Sequence, residues 1–163
     1  MPAAGQNLVK WYGRRFKRVL RSKLLTGLEQ AGAYCEAVIV RSMGGSPSQP
    51  GSPPGRDTGE YARTITHEVN EEAGGIPTAR VGTSSKLGLW LEYGTGSRSE
   101  KGGRSYIIVP KKASVLSWAG AGGRQVFAKF VLHPGIHPRP HIRPAVFGRQ
   151  RQIMSILQKA SQI

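Results

Sequence analysis

Apolar residues recur at three- and four-residue steps from the start of the chain: Leu8, Tyr12, Phe16, Val19, Leu20, Leu24, Leu28, Ala31, Cys35 and Val38. One face of a 3.6-residue period explains them, so a long helix is expected from Gln6 to about Arg41, with Asn7 as its cap. Unbroken, it would run about 50 Å, too long for a small core to cover. Gly13, Gly27 and Gly32 each weaken it by roughly 1 kcal/mol and make a bend the competing expectation. Residues 44–59, GGSPSQPGSPPGRDTG, show no periodicity and read as a flexible Gly/Pro/Ser loop. The pattern then alternates over Glu60–Val69 and again over Thr78–Thr83, predicting a hairpin of two strands. Leu87, Trp90, Leu91 and Tyr93 suggest a short helix over Ser85–Tyr93, capped by Ser84 or Ser85, with a strand as the competing expectation. Ser105–Pro110 and Gln125–His133 carry strong strand signals around a glycine-rich tip at Gly120–Gly123, predicting a long projecting hairpin.

The stretch His133–Phe147, HPGIHPRPHIRPAVF, breaks every period. Four prolines fix φ, remove backbone donors and push the residues before them to extended conformations. It predicts a rigid crossing that ends where Pro144 opens a last helix, Pro144–Ala160. The order of elements gives one domain over residues 1–163. Its parts are a long basic helix (6–41), the loop (44–59), a sheet with short helix and long hairpin (60–133), and the crossing with its helix (134–163). The class is α+β: an antiparallel sheet of about four strands with the two long helices on one face. Four strands cannot bury both sides of a sheet, so contacts with other chains are expected.

Charge sharpens this picture. The 163 residues carry 24 Lys+Arg against 9 Asp+Glu, a formal net charge of +15. That exceeds the magnitude of about 2–8 that solubility asks of a small domain and points to an anionic partner, nucleic acid or an acidic protein surface. The leading helix concentrates it: Lys10, Arg14, Arg15, Lys17, Arg18, Arg21 and Lys23 come without an intervening acid. A solvated helix ordinarily mixes signs at i,i+4. Trp11, Tyr12 and Phe16 interleave with these cations as in stacking proteins, although at helical spacing the core reading is stronger. The Arg-rich, acid-free start superficially resembles a transit peptide; a helix of the mature chain explains it better.

Candidate chemistry is sparse. Cys35 alone excludes an intramolecular disulfide and any multi-cysteine zinc ribbon, and its apolar neighbours make it a core residue. His133, His137 and His141 have the spacing of a helical metal site, but Pro134, Pro138 and Pro140 forbid the helix that would align them. GTGSRSEKGGR lacks the Lys-Ser/Thr of a phosphate loop. No apolar run approaches the ~20 residues of a membrane span. The expectation is neither enzyme nor metal or cofactor binder, with no membrane contact. One pair stands out. Glu92 is a lone acid in an apolar helix, and Arg143 is fixed between Pro140 and Pro144, so the two are expected to join and brace the crossing against the short helix.

Three segments together resemble the head–tail neck and tail-completion (head–tail joining) proteins of long-tailed bacteriophages. PGRDTGEYARTI resembles the family's proline-led turn at Thr58-Gly59 running into a strand. ARVGTSSKLGLWLEYGT, starting at Ala79, is similar to its strand, small helix and acid-aromatic-Gly-Thr ending, here with Tyr93, Gly94 and Thr95. HPGIHPRPHIRPAVF is similar to its His-Pro-Gly, at His133, Pro134 and Gly135, followed by an Arg-Pro-Ala ending at Ala145 and the last helix. His141 stands where the family has an aromatic residue, and the Gly/Pro/Ser loop is long. The resemblance implies an α+β subunit of a homo-oligomeric ring, a hexamer, at the junction of capsid connector and tail. Its neighbours would be connector, tail-terminator or tail-tube proteins. It implies a place in the virion, assembled in the host bacterial cytoplasm, with a DNA channel, passing DNA touched non-specifically, and no catalysis. The rival reading is a non-specific nucleic-acid-binding protein using the basic helix.

Overall fold

In the computed structural model of the chain, which describes residues 12–45, 48–72 and 75–162, one hairpin and the C-terminal helices pack on a single long helix. This helix, α1, runs without a break from Gly13 to Ser42, about 45 Å at 1.5 Å per residue. The cap expected at Asn7 and the basic residue Lys10 lie outside the described residues. Gly27 and Gly32 do not bend α1. They are the places where neighbours come closest: a Cβ on Gly27 would stand 2.9 Å from Ala160 Cβ, and one on Gly32 would stand 2.6 Å from His67 Cδ2. The helical pattern therefore pairs a propensity cost of roughly 1 kcal/mol per glycine with tight docking of a second helix and a strand.

After the loop comes a short helix, α2 (Glu60–Arg63), where alternation predicted strand. Gly59, at φ 75°, turns the chain, and Arg63 N closes the first helical bond to Gly59 O at 3.2 Å. The strand proper, β1 (Ile65–Glu72), pairs antiparallel with β2 (Ile76–Thr83) from Ile65 opposite Thr83 to Glu72 opposite Ile76. One face of this hairpin lies on α1. The other shows Thr66, Glu68, Asn70 and Arg80 to solvent. Helix α3 (Lys86–Tyr93) follows, and Ser85 Oγ accepts from Leu87 N at 3.3 Å as its cap.

The projecting hairpin forms in two stages. At its base β3 (Tyr106–Ile108) pairs with β6 (Val131–His133); at its tip β4 (Leu116–Ala119) pairs with β5 (Gln125–Ala128). The turn at Ala121–Gly123 is the expected glycine tip. Pro110 cannot donate to a ladder, and the chain beyond it leaves the pairing until Leu116. The structure is thus α+β with a long N-terminal helix, C-terminal helices and small antiparallel sheets. The strands described are spread over three two-stranded ladders where the sequence suggested one sheet of about four. The last helix is likewise divided, into α4 (Ile142–Phe147) and α5 (Gln150–Ser161), with Gly148 and Arg149 between them.

Ile39, Met43, Ile65 and Ala145 form the buried cluster, joined at its edge by Tyr61, Val81 and Ile142. It is a small core for a chain of this length, and it sits where α1, α2, β1 and α4 meet. Directly beside it the proline-rich crossing passes.

Candidate functional site: a carboxylate clamp on the proline-rich crossing

Helix α4 begins with no side-chain cap of its own. The first backbone N–H groups of a helix have no intrahelical partner. Here the Glu92 carboxylate, delivered from the last turn of α3, receives them. Glu92 Oε2 accepts from His141 N and Ile142 N, each at 3.0 Å, and Oε1 accepts from Arg143 N at 2.9 Å. The next residue is Pro144, which has no N–H to satisfy. One buried carboxylate and one proline therefore dispose of the whole open end of α4.

Arg143 adds the side-chain half of the expected pair. Its Nε donates to Glu92 Oε1 at 3.0 Å. Its Nη2 donates to the Glu92 carbonyl at 3.1 Å and to Glu100 Oε2 at 2.8 Å. The guanidinium lies over the Tyr93 ring, 4.7 Å from its centre, and Lys101 Nζ stands 3.7 Å from the same ring centre. Burial pushes the Glu92 carboxyl up, but the His141 ring and the three backbone donors outweigh it and hold the group well below the usual carboxylate range.

His141 is 1% exposed. Its Nδ1 faces two oxygens, Arg139 O at 2.9 Å and Glu92 Oε2 at 3.1 Å, so Nδ1 carries the hydrogen. Nε2 is then the acceptor for Tyr61 Oη at 2.7 Å. Burial, with the nearby Glu92 charge, pushes the Tyr61 phenol up to about 12. The four-residue histidine spacing brings no cluster together: the His133 ring accepts from Gly135 N at 2.9 Å, and His137 is exposed. Among the described residues no group of three or more His, Cys, Asp or Glu is placed to hold a metal ion.

Upstream, the crossing is stitched to α3 and to the chain just after it. Thr95 N donates to Ile136 O at 3.0 Å, Ile136 N donates to Thr95 Oγ1 at 3.1 Å, and Arg139 N donates to Leu91 O at 2.6 Å. Gly135, at φ 94°, passes so close that a Cβ there would sit 1.8 Å from Thr95 O. The Gly/Pro/Ser loop joins from the other side, where Gly51 N donates to Pro138 O at 3.0 Å and Arg139 Nη1 donates to Ser48 O and Oγ. Thr58 and Gly59 start α2, with Thr58 Oγ1 accepting from Glu60 N at 3.3 Å; α2 in turn carries Tyr61 to His141. Ala145 is in the core, and Pro134 O accepts from Ser97 Oγ at 3.0 Å. The three segments that carry the family resemblance thus meet at one node. Chemically the node holds: every Glu92 oxygen faces donors already fixed in place, so the group positions backbone and has no proton to move.

The basic helix is less one-sided in space than in sequence. Arg21 is forked onto Glu71 of β1, with Nε–Oε1 at 3.0 Å and Nη2 on Oε2, and Lys23 Nζ donates to Gln162 O. Arg14, Arg15, Lys17 and Arg18 are exposed and make no ion pair among the described residues. A second fastening of β1 to α1 was not foreseen from the sequence. His67 Nδ1 stands 2.6 Å from Glu36 Oε2, its backbone N donates to the same oxygen at 3.1 Å, and Nε2 stands 3.2 Å from Glu29 Oε1. Both ring nitrogens face carboxylates, an arrangement only the imidazolium satisfies fully. The hydrogen bond that His67 gives to Glu36 is the largest effect and raises its pKa, burial lowers it by less, and Glu29 raises it further. The only sequence signal was the seven-residue spacing of Glu29 and Glu36 around Gly32.

No helix among the described residues is long and apolar enough to cross a membrane. No family model, curated protein or solved structure matches the chain.

Proposed function

We propose that this chain is a structural subunit of the neck of a long-tailed bacteriophage. It would assemble as a ring, a hexamer, at the head–tail junction or the head-proximal end of the tail. There it joins tail to capsid connector and leaves a channel for DNA. The observation that carries this reading is the convergence of the three family-like segments on the Glu92 clamp. They are distant in sequence, yet Tyr61, Glu92 and His141–Arg143 are bonded to one another. Two further features support it. The core is small, and large apolar side chains stand exposed on α1, α3 and the projecting hairpin, as expected of a subunit that its neighbours cover. The functional work assigned to the chain is geometric, and the clamp is a rigid positioning device with no reactive group.

Negative-stain microscopy of the purified protein, alone and added to isolated tails, tests the reading. Six-fold rings, free or seated at tail ends, are the expected result. A monomer that never joins tails would overturn it. The second reading, a non-specific nucleic-acid binder, is favoured by Arg14, Arg15, Lys17 and Arg18 standing exposed without a carboxylate partner among the described residues. It requires sub-micromolar affinity for DNA that falls steeply with salt.

A further inference from the structure

We propose that the outer stage of the projecting hairpin, residues 111–129, is an arm that enters the major groove of duplex DNA. The inference rests on the neck reading for the DNA that passes each subunit, and it names the side chains that would meet it. Beyond slight contacts, no helix and no further strand packs on either ladder of the hairpin: β3 packs with β6, and β4 with β5. A free two-stranded hairpin is marginal in water, so this arm gains its order from a surface outside its own fold.

The two stages of the arm differ in charge. The base strands β3 and β6 contain no Lys or Arg and show Ile107 and Leu132 to solvent. The outer stage carries Lys111, Lys112, Arg124 and Lys129, four cations and no acid in 19 residues. All four are exposed, and none makes an ion pair among the described residues. The nine acids of the chain lie between Glu29 and Glu100, so no carboxylate within the arm balances these cations. The complementary partner is a polyanion.

Shape selects DNA among polyanions. Arg124 and Lys129 flank β5 and are five residues apart, about 16 Å of extended chain. The major groove is about 12 Å wide and admits a two-stranded ribbon, so the two cations can meet phosphates on its opposite sides. Between them, one face of the β4–β5 ladder presents Ser117 opposite Phe127 and Ala119 opposite Gln125, all exposed. Gln125 Nε2 donates to Ser117 Oγ at 3.2 Å, which leaves the Gln125 carbonyl oxygen and second N–H for a base edge. Phe127, 64% exposed, suits the methyl group of thymine. The leading end is thin: Gly120–Gly123 brings one methyl in four residues, and a Cβ on Gly122 or Gly123 would meet nothing. Charge alone would suit an acidic protein surface equally; the thin tip and the cation spacing favour a groove edged with phosphates.

The test uses the full chain and a short duplex of random sequence, with binding read by fluorescence anisotropy over a salt series. Replacing the four cations together (Lys111→Gln, Lys112→Gln, Arg124→Gln, Lys129→Gln) should lower the slope of log K against log salt by about 3–4, and weaken binding at least tenfold at about 0.1 M salt. Replacing the three lysines by Arg should leave both at wild-type values. Unchanged thermal melting of both variants confirms that the body folds. An unchanged slope in the Gln variant would overturn the proposal and give any DNA contact to α1. Tighter binding of a single strand than of the duplex would overturn the groove geometry. Displacement by poly-glutamate as readily as by DNA would replace DNA with an acidic protein surface. The neck reading fails separately. Hairpin-dependent DNA binding by a chain that never forms rings or joins tails keeps the arm and removes the neck; rings whose subunits ignore DNA keep the neck and remove the arm.

Discussion

Glu92 Oε1 stands 2.9 Å from the backbone nitrogen of Arg143 and 3.0 Å from its Nε, so one oxygen holds the residue by main chain and side chain at once. The carboxylate is 4% exposed, and its substitution leaves several donors facing no acceptor. Glu92→Gln should therefore destabilise the fold by about 3–5 kcal/mol. Arg143→Met removes only the guanidinium, which is partly exposed, and leaves the three backbone bonds; about 1–2 kcal/mol is expected. Urea denaturation of the two variants checks the order. A larger loss for Arg143→Met would mean that the ion pair, and not the capping of α4, is what matters.

The same carboxylate gives the fold an acid limb. Its folded pKa lies below the ordinary value, so its contribution is present above about pH 4.3 and is lost as pH falls toward the folded value. The urea midpoint of the wild type should drop between pH 5 and pH 2 more steeply than that of Glu92→Gln.

His67 has the opposite sign. Its pKa is raised by Glu36 and Glu29. The stabilisation is full below about pH 6.5 and fades as pH rises through the folded value. The stability gap between wild type and His67→Asn should be largest near pH 5.5 and shrink toward pH 9. A gap that grows with pH would show that the neutral ring does the holding.

Gly135→Ala combines a disallowed φ with a collision against Thr95 O. It should cost more than about 3 kcal/mol or prevent soluble expression. Gly32→Ala, whose Cβ would meet the His67 ring at 2.6 Å and its Cβ at 3.2 Å, should cost about 1–3 kcal/mol and should also flatten the pH dependence that His67 confers.

DNA binding separates the basic residues of α1. Neutralising Arg14, Arg15, Lys17 and Arg18 should reduce the slope of log K against log salt by about one for each phosphate the helix no longer neutralises. Arg21→Gln should leave it nearly unchanged, because Glu71 already occupies that guanidinium.

Much of the fold was written in local pattern. The 3.6 period located α1, the Ser85 cap and apolar spacing located α3, and the glycine run located the hairpin tip. Glu92 and Arg143 were legible as a pair because an acid in an apolar helix needs a partner and two prolines limited where Arg143 lies. What stayed hidden depended on distance along the chain. Nothing local indicates that Glu71 will reach Arg21, that Tyr61 will reach His141, or that Glu92 will take three backbone donors. Glu60–Arg63 alternates like a strand, yet Gly59 turns it into a helix. The residues after Pro110 look like a single hairpin arm, although the proline divides it.

The clamp also orders events during synthesis. Helix α1 and the β1–β2 hairpin hold one another through Glu29, Glu36, His67, Arg21 and Glu71, all complete once residue 83 has left the ribosome. Glu92 must wait a further 51 residues for Arg143, and Gly27 waits longer for Ala160. Contacts of such separation form late because loop closure precedes their reward. Nascent chains halted before His141 should therefore carry a docked hairpin but an unplaced α3, and only finished subunits should be competent to meet one another.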